Sequence, residues 1–385
     1  MKLVVRPAVR FLAMAALLVS CARDAGPPTD PRDVIELRWV KAYPRESKSD
    51  VETGLLWSLS LLGARLPRDA AVVVWHGDRM TLDLAHAQVL EGTGPAWRQL
   101  VAAMKGSGEY RVHGALDVGR FLAVALGSSN HYYALTGANP HYADARARYH
   151  FESKPAAIAR SAVALGNRRI EISAAHDAAQ IAFVAYEGHG SLADGTFVPR
   201  ELELLDTMPN GQLRFALYDL DGHLKNGASK DLTTAGKPAK CMWCHESGLQ
   251  HTFIEFPGVA GFNDRREFDA LVAQRRDLLL AYRDGLDTQI EYRHRQDHTY
   301  GELLYLTFEE PSRERLAAEW GVSIDRAAEL LRGKPTHAHA EFAYLGRELY
   351  QRADVDNLAP YAVLRAPLSI REESGPEIAI VEVRP

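Results

Sequence analysis

Cysteine is scarce in this chain. Its 385 residues hold only Cys21, Cys241 and Cys244, too few for a disulfide framework to staple the fold. Methionine is thin as well, and none follows Met242. Beyond the first twenty residues no apolar run is long enough for a helix to cross a bilayer. Basic charge is not in excess. The net charge of −5 argues against a nucleic-acid partner. There is no G-x-S-x-G, no Walker-type loop and no nucleotide-binding glycine fingerprint, so the standard hydrolase and nucleotide classes lack support. Internal repeats and low-complexity tracts are also missing. What remains is an ordinary globular composition, 46% hydrophobic and 25% charged, on a chain long enough to bury a core without metal or disulfide staples.

Two of the three cysteines fall in Cys241-Met242-Trp243-Cys244-His245, a C-x-x-C-H string. This is the pattern of covalent c-type haem attachment. Each thiol can form a thioether to a porphyrin vinyl group, and the adjoining imidazole then lies under the iron. The short spacing matters because both bonds and the ligand come from one turn of chain. On these five residues the chain resembles the monohaem c-type cytochromes, and the resemblance covers a small fraction of its length. It implies one covalent haem c, with Cys241 and Cys244 as attachment points, His245 as proximal iron ligand, and a redox partner protein.

The departure from that family concerns the second axial ligand. Many small members place a methionine downstream of the motif. Here none is available, and Met242 lies inside the attachment loop. A histidine or an open position is left. Five histidines follow the motif: His251, His294, His298, His337 and His339. His294 and His298 are four apart and share a face on a helix. His298 is the first choice, with His294 and His251 behind it. A bis-histidine iron passes single electrons. An open position makes a haem enzyme, peroxidase-like or another oxidoreductase. Zinc is the rival metal, held by Cys241, Cys244, His294 and His298, but it leaves His245 idle and needs a loop much longer than those of zinc fingers. A reversible dithiol is the other rival, without the βαβ context expected of it.

Residues 1–20 carry Lys2, Arg6 and Arg10, no acidic residue, and the apolar run Phe11–Val19. They read as a signal peptide. The run ends Leu18-Val19-Ser20-Cys21, which resembles the lipobox of bacterial lipoproteins. That resemblance implies lipidation of Cys21 and a stable membrane anchor. Ala22 in place of an aspartate implies the outer membrane, with the protein facing the periplasm. Export and haem attachment agree, because bacteria attach c-type haem outside the cytoplasm. Without residues 1–20 the chain has 42 basic and 50 acidic residues, a net of −8.

The expected fold class is α+β. Residues 21–35 read as a tether. Residues 36–236 read as a mixed α/β and antiparallel β domain, and 237–385 as a mainly helical haem domain. Helices are expected over 49–66, 96–105, 116–126, 264–283, 311–320, 324–331 and 340–352. Strand pairs are expected at 72–75 with 80–84, and at 201–205 with 212–218 around Pro209-Asn210-Gly211. Strands are also expected at 168–173 and 180–186, and the tail 378–383 reads as one more. Tyr186-Glu187-Gly188-His189-Gly190 reads as a loop. Asn130–Tyr133 reads as a set of buried tyrosines. Leu316–Ser323 with the helix after it reads as a packed αα corner, and Asp219–Gly222 as a hairpin turn. Lys237 and Lys240 flank the motif, where they could meet haem propionates or simply face solvent.

Overall fold

The computed structural model describes residues 30–383 except Leu165, His251, Thr252, Arg295, Ser374 and Gly375. The expected signal peptide, Cys21 and most of the tether lie outside the described residues.

The chain is α+β. β1 (Val34–Arg38) leads to α1 (Lys48–Leu61), whose start is fixed by a capping box between Ser47 and Asp50. β2 (Val73–His76) and β3 (Arg79–Asp83) form the expected hairpin around Gly77-Asp78. There follow α2 (Leu84–Ala87), α3 (Gly94–Lys105), α4 (Gly108–His113), β4 (Leu116–Asp117), α5 (Val118–Gly127), α6 (Ser129–Thr136) and α7 (Tyr142–Arg146). The first sheet has the order β2-β3-β1-β4. A second sheet is built from β5 (Ala156–Ile158), β7 (Arg168–Ile172), β8 (Ala182–His189), β9 (Val198–Thr207) and β10 (Leu213–Tyr218), in the antiparallel order β10-β9-β8-β7-β5. β6 (Arg160–Ser161) pairs separately with β11 (Phe253–Glu255). The remaining helices are α8 (Pro238–His245), α9 (Arg265–Asp284), α10 (Asp297–Glu309), α11 (Arg313–Trp320), α12 (Ile324–Leu330) and α13 (Arg352–Val355).

The second half of the chain is woven into the first. α10 packs against both α1 and α5. Glycines allow the close approach. A Cβ on Gly54 of α1 would lie 2.6 Å from the Tyr300 carbonyl carbon, and one on Gly119 of α5 would lie 2.6 Å from the Phe308 Cβ. One buried apolar cluster accordingly runs from Ile35 to Ile370. The boundary at residue 236 marks a change from strand to helix inside this shared core.

The same junction buries four guanidinium groups with three carboxylates and a fourth, Asp356, that is half-buried. Glu319 of α11 receives Arg352 at 2.8 Å, Arg315 at 3.1 Å and Arg120 at 3.2 Å. Glu109 receives Arg38 at 3.0 Å and Arg120 at 2.7 Å. Asp117 pairs with Arg315, and Asp356 with Arg120 and Arg352. The Phe308 ring lies beneath the Arg352 and Arg120 guanidiniums, 3.9 and 4.8 Å from its centre.

Three expectations fail for identifiable reasons. Residues 340–352 form only the short 3-10 turn Ala343–Leu345. Gly346 then adopts φ +115°, and Leu349 forms isolated bridges with His337 and Ser312. The tail 378–383 is not a strand. Side chains hold its backbone instead: Ser128 donates to the Ile378 carbonyl, Gln99 donates to that of Ile380, and His131 Nε2 accepts from the Ile380 N–H. The stretch Tyr186–His189 belongs to β8, because the register shifts between Glu187 and Gly188 and lets the strand continue.

Candidate functional site

α8 carries the motif, and Pro238 at its first turn suits a helix start. Cys241 and Cys244 are three apart and Cys241 and His245 four apart, so all three share one helix face. They line a single cavity. Its floor is the face of the second sheet formed by Ile170, Phe183, Ala185, Leu205 and Phe215, and its far wall is Leu249, Phe253, Phe268 and Val272. Its interior holds about 130 Å³ and opens to solvent at the mouth, less than the roughly 300–1,000 Å³ of cofactor sites, so a group the size of haem would extend out through the mouth.

The helix ends at His245 itself. Glu246 and Ser247 then adopt φ +45° and +59°, left-handed positions that cost roughly 1–2 kcal/mol each for residues other than glycine. Two hydrogen bonds stabilise this sharp exit, from Glu246 N–H to the Met242 carbonyl and from Arg283 to the Ser247 carbonyl. The turn brings the Gly248 carbonyl 3.3 Å from His245 Nδ1. With the Nδ1 proton donated there, Nε2 keeps its lone pair, as a metal-ligating imidazole requires. Burial also pushes the imidazole down to about 4, so it is neutral near pH 7. The Phe215 ring packs 5.1 Å from it.

The thiols differ. Cys244 is exposed, while Cys241 is half-buried. Burial, then the Glu203 carboxylate, raises the Cys241 thiol well above its usual range. A thiol held in its protonated form is a poor zinc ligand and a poor exchange nucleophile. The zinc set is not assembled either. His294 and His298 do not line the cavity, and among the described residues the one group of three or more ligating side chains close together is Glu187, Glu201 and Glu203.

The structure does not bring His298 to His245. α10 holds it in its first turn, where the neighbouring Tyr300 backbone is pressed against Gly54 of α1. His294 precedes that helix and is exposed, and His337 is bonded to Glu310 at 2.7 Å. His251 lies outside the described residues; Gln250 and Phe253 on either side of it line the cavity. Apart from His245, no described lining residue carries an imidazole or a thioether.

α8 is clasped from behind by the tail. Lys237 N–H donates to the Arg371 carbonyl at 2.8 Å, and its Nζ reaches the Gly127 and Ser369 carbonyls and, at 2.6 Å, Glu377. Lys240 pairs with Glu372. Both lysines are thus engaged by the protein itself. Trp243, between the cysteines, meets Tyr305 of α10 edge-on at 4.8 Å, with the Arg371 guanidinium over both rings.

Sequence reasoning missed the charged end of the cavity, where Arg168 and Glu203 join its lining. The alternation Glu201-Leu202-Glu203 within an expected strand was the available signal, since it places both carboxylates on one sheet face. Comparison with protein-family models, curated proteins and solved structures gives no match for this chain.

Proposed function

We propose that this chain carries one haem, bound covalently through Cys241 and Cys244 with His245 under the iron, and passes single electrons to a redox partner protein. The supporting observation is the preformed apolar cavity whose one wall presents both thiols and a neutral imidazole with a free Nε2. When bound, the haem supplies a one-electron iron centre. The chain's residues do the rest. α8 sets the two thiols and the imidazole on one face, Gly248 fixes the imidazole tautomer, and the sheet floor with Phe253 and Phe268 keeps water from the porphyrin. Such a dry shell tunes redox potential. The anchor in this reading is lipid on Cys21, at the outer membrane and facing the periplasm. No helix among the described residues is long and apolar enough to cross a membrane.

One observation favours a second reading, a haem enzyme with an open sixth position: no second imidazole or thioether stands among the described lining residues. A single experiment separates the readings, the spectrum of the exported protein oxidised, reduced and under carbon monoxide. A covalent haem mass with a low-spin reduced spectrum indifferent to carbon monoxide supports electron transfer. Carbon monoxide binding supports the enzyme. A colourless, iron-free product from a host with working haem-ligation machinery overturns both.

A further inference from the structure

The end of the cavity beside Cys241 is charged, and its charges do not balance. Arg168 of β7, Glu187 of β8 and Glu201 of β9 are register partners across three strands, so their side chains emerge on one sheet face. Glu203, two residues beyond Glu201, shares that face and lines the cavity together with Arg168. Oxygens of the three glutamates lie within 4.8 Å of one another. Glu187 and Glu201 are each 1% exposed.

Two cations face these three carboxyl groups. Lys225 pairs with Glu201, which also accepts from the Ser229 N–H at 2.9 Å and hydroxyl at 2.8 Å. Glu201 is therefore fully partnered. Arg168 is left to face both Glu187, which it touches, and Glu203 at 3.6 Å. Beyond that guanidinium, no donor among the described residues hydrogen-bonds to either Glu187 oxygen or to Glu203 Oε1. The other groups packed here are the Thr233 hydroxyl, which accepts from Arg168 at 3.3 Å, and the Cys241 thiol of α8. His189, at the end of β8, is exposed and lies 3.4 Å from Asp231.

Two carboxyl groups, Glu187 sealed and Glu203 half-buried at the cavity wall, that share one guanidinium cannot both stay ionised cheaply. Burial, then the neighbouring Glu203, pushes Glu187 well above the usual carboxylate range, against the pull of Arg168. We propose that Glu187 and Glu203 share a single proton site, which takes up a proton from the solvent when the cavity's haem is reduced and returns it on oxidation. The inference rests on the haem reading above. One electron from an external one-electron donor lowers the charge of the cavity by one. One proton leaves a solvent hydronium ion, whose O–H bond breaks to give water, and bonds to a carboxylate oxygen of the pair, which restores the charge; reoxidation runs the same transfer in reverse.

The test is a spectroscopic redox titration of the full exported protein, reduced with dithionite and oxidised with ferricyanide, from mildly acid to mildly alkaline pH. The expected result is a potential that falls as pH rises through one window. Glu187→Gln and Glu203→Gln should each flatten that slope while leaving the covalent haem mass unchanged. Should the variants fold poorly, the wild type decides alone. Its reduced-minus-oxidised infrared spectrum should show a protonated carboxyl band. A red protein whose potential is independent of pH, or a slope that survives both substitutions, overturns this proposal alone. A product without covalent haem overturns the haem reading as well.

Discussion

The charges around Glu319 and those on the cavity wall are drawn from the same residue types, yet they are assembled differently. At the helical junction four guanidiniums meet four carboxylates, and Glu319 is bonded by three arginines at once. Burial works to raise the Glu319 carboxyl, but Arg352, Arg120 and Arg315 outweigh it and hold it well below the usual range. At the cavity, Arg168 alone faces Glu187 and Glu203. Balance in the first cluster makes a fixed brace, since any change leaves a buried charge exposed to a low dielectric. Imbalance in the second leaves room for a proton to come and go. That contrast, rather than burial, separates a structural network from one with a use.

Removing the keystone of the brace should have the largest effect. Glu319→Ala leaves Arg120, Arg315 and Arg352 buried around an empty centre, and it should lower stability by about 3–5 kcal/mol, read by urea denaturation. A loss smaller than about 1 kcal/mol would mean that the junction is not the brace described. Next comes the cavity. Cys241→Ala or Cys244→Ala should leave at most one thioether, so mild chemistry that cleaves a single link should release the haem, followed by mass spectrometry. A haem with both vinyl groups still converted to thioethers in either variant would remove that cysteine from the site.

Glu309 gives a subtler contrast, since it lies beside the brace without joining it. Its Oε1 is sealed from water and lacks a hydrogen-bond partner, and burial raises the carboxyl to about 8. The folded state therefore binds a proton that the unfolded chain releases near 4.5. Stability from this group is complete below that lower value and is lost as pH rises toward about 8. Glu309→Gln should flatten the melting temperature across that window, and an unchanged pH profile would contradict the assignment. The smallest effect is expected from His298→Ala. Because His298 does not line the cavity, the low-spin spectrum should be unaltered; a high-spin shift would restore it as the sixth ligand.

The elements written in local pattern were legible in the sequence. The helical stretches of α1 and α9, the β2–β3 hairpin and the Asn210-Gly211 turn between β9 and β10 are each set by neighbouring residues. The motif thiols were legible for the same reason. What stayed hidden depends on partners far along the chain. Glu187 read as a loop residue because Gly188 and Gly190 follow it. In the fold Gly188 is required where β9 crosses closely, since a Cβ there would lie 2.0 Å from the Val198 carbonyl oxygen. Nothing local to Arg120 announces Glu319 as its partner, 199 residues away. The tail's apolar residues suggested a strand, but its hydrogen bonds go to side chains on α3, α6 and the residue before α6.

The tail's grip on α8 ties the cysteines to a distant part of the chain. Arg371, Glu372 and Glu377 hold Lys237 and Lys240, the Lys240–Glu372 pair joining residues 132 positions apart. A local loosening of the tail would therefore be felt first at the root of the helix that bears Cys241 and Cys244, with no change needed in the cavity itself.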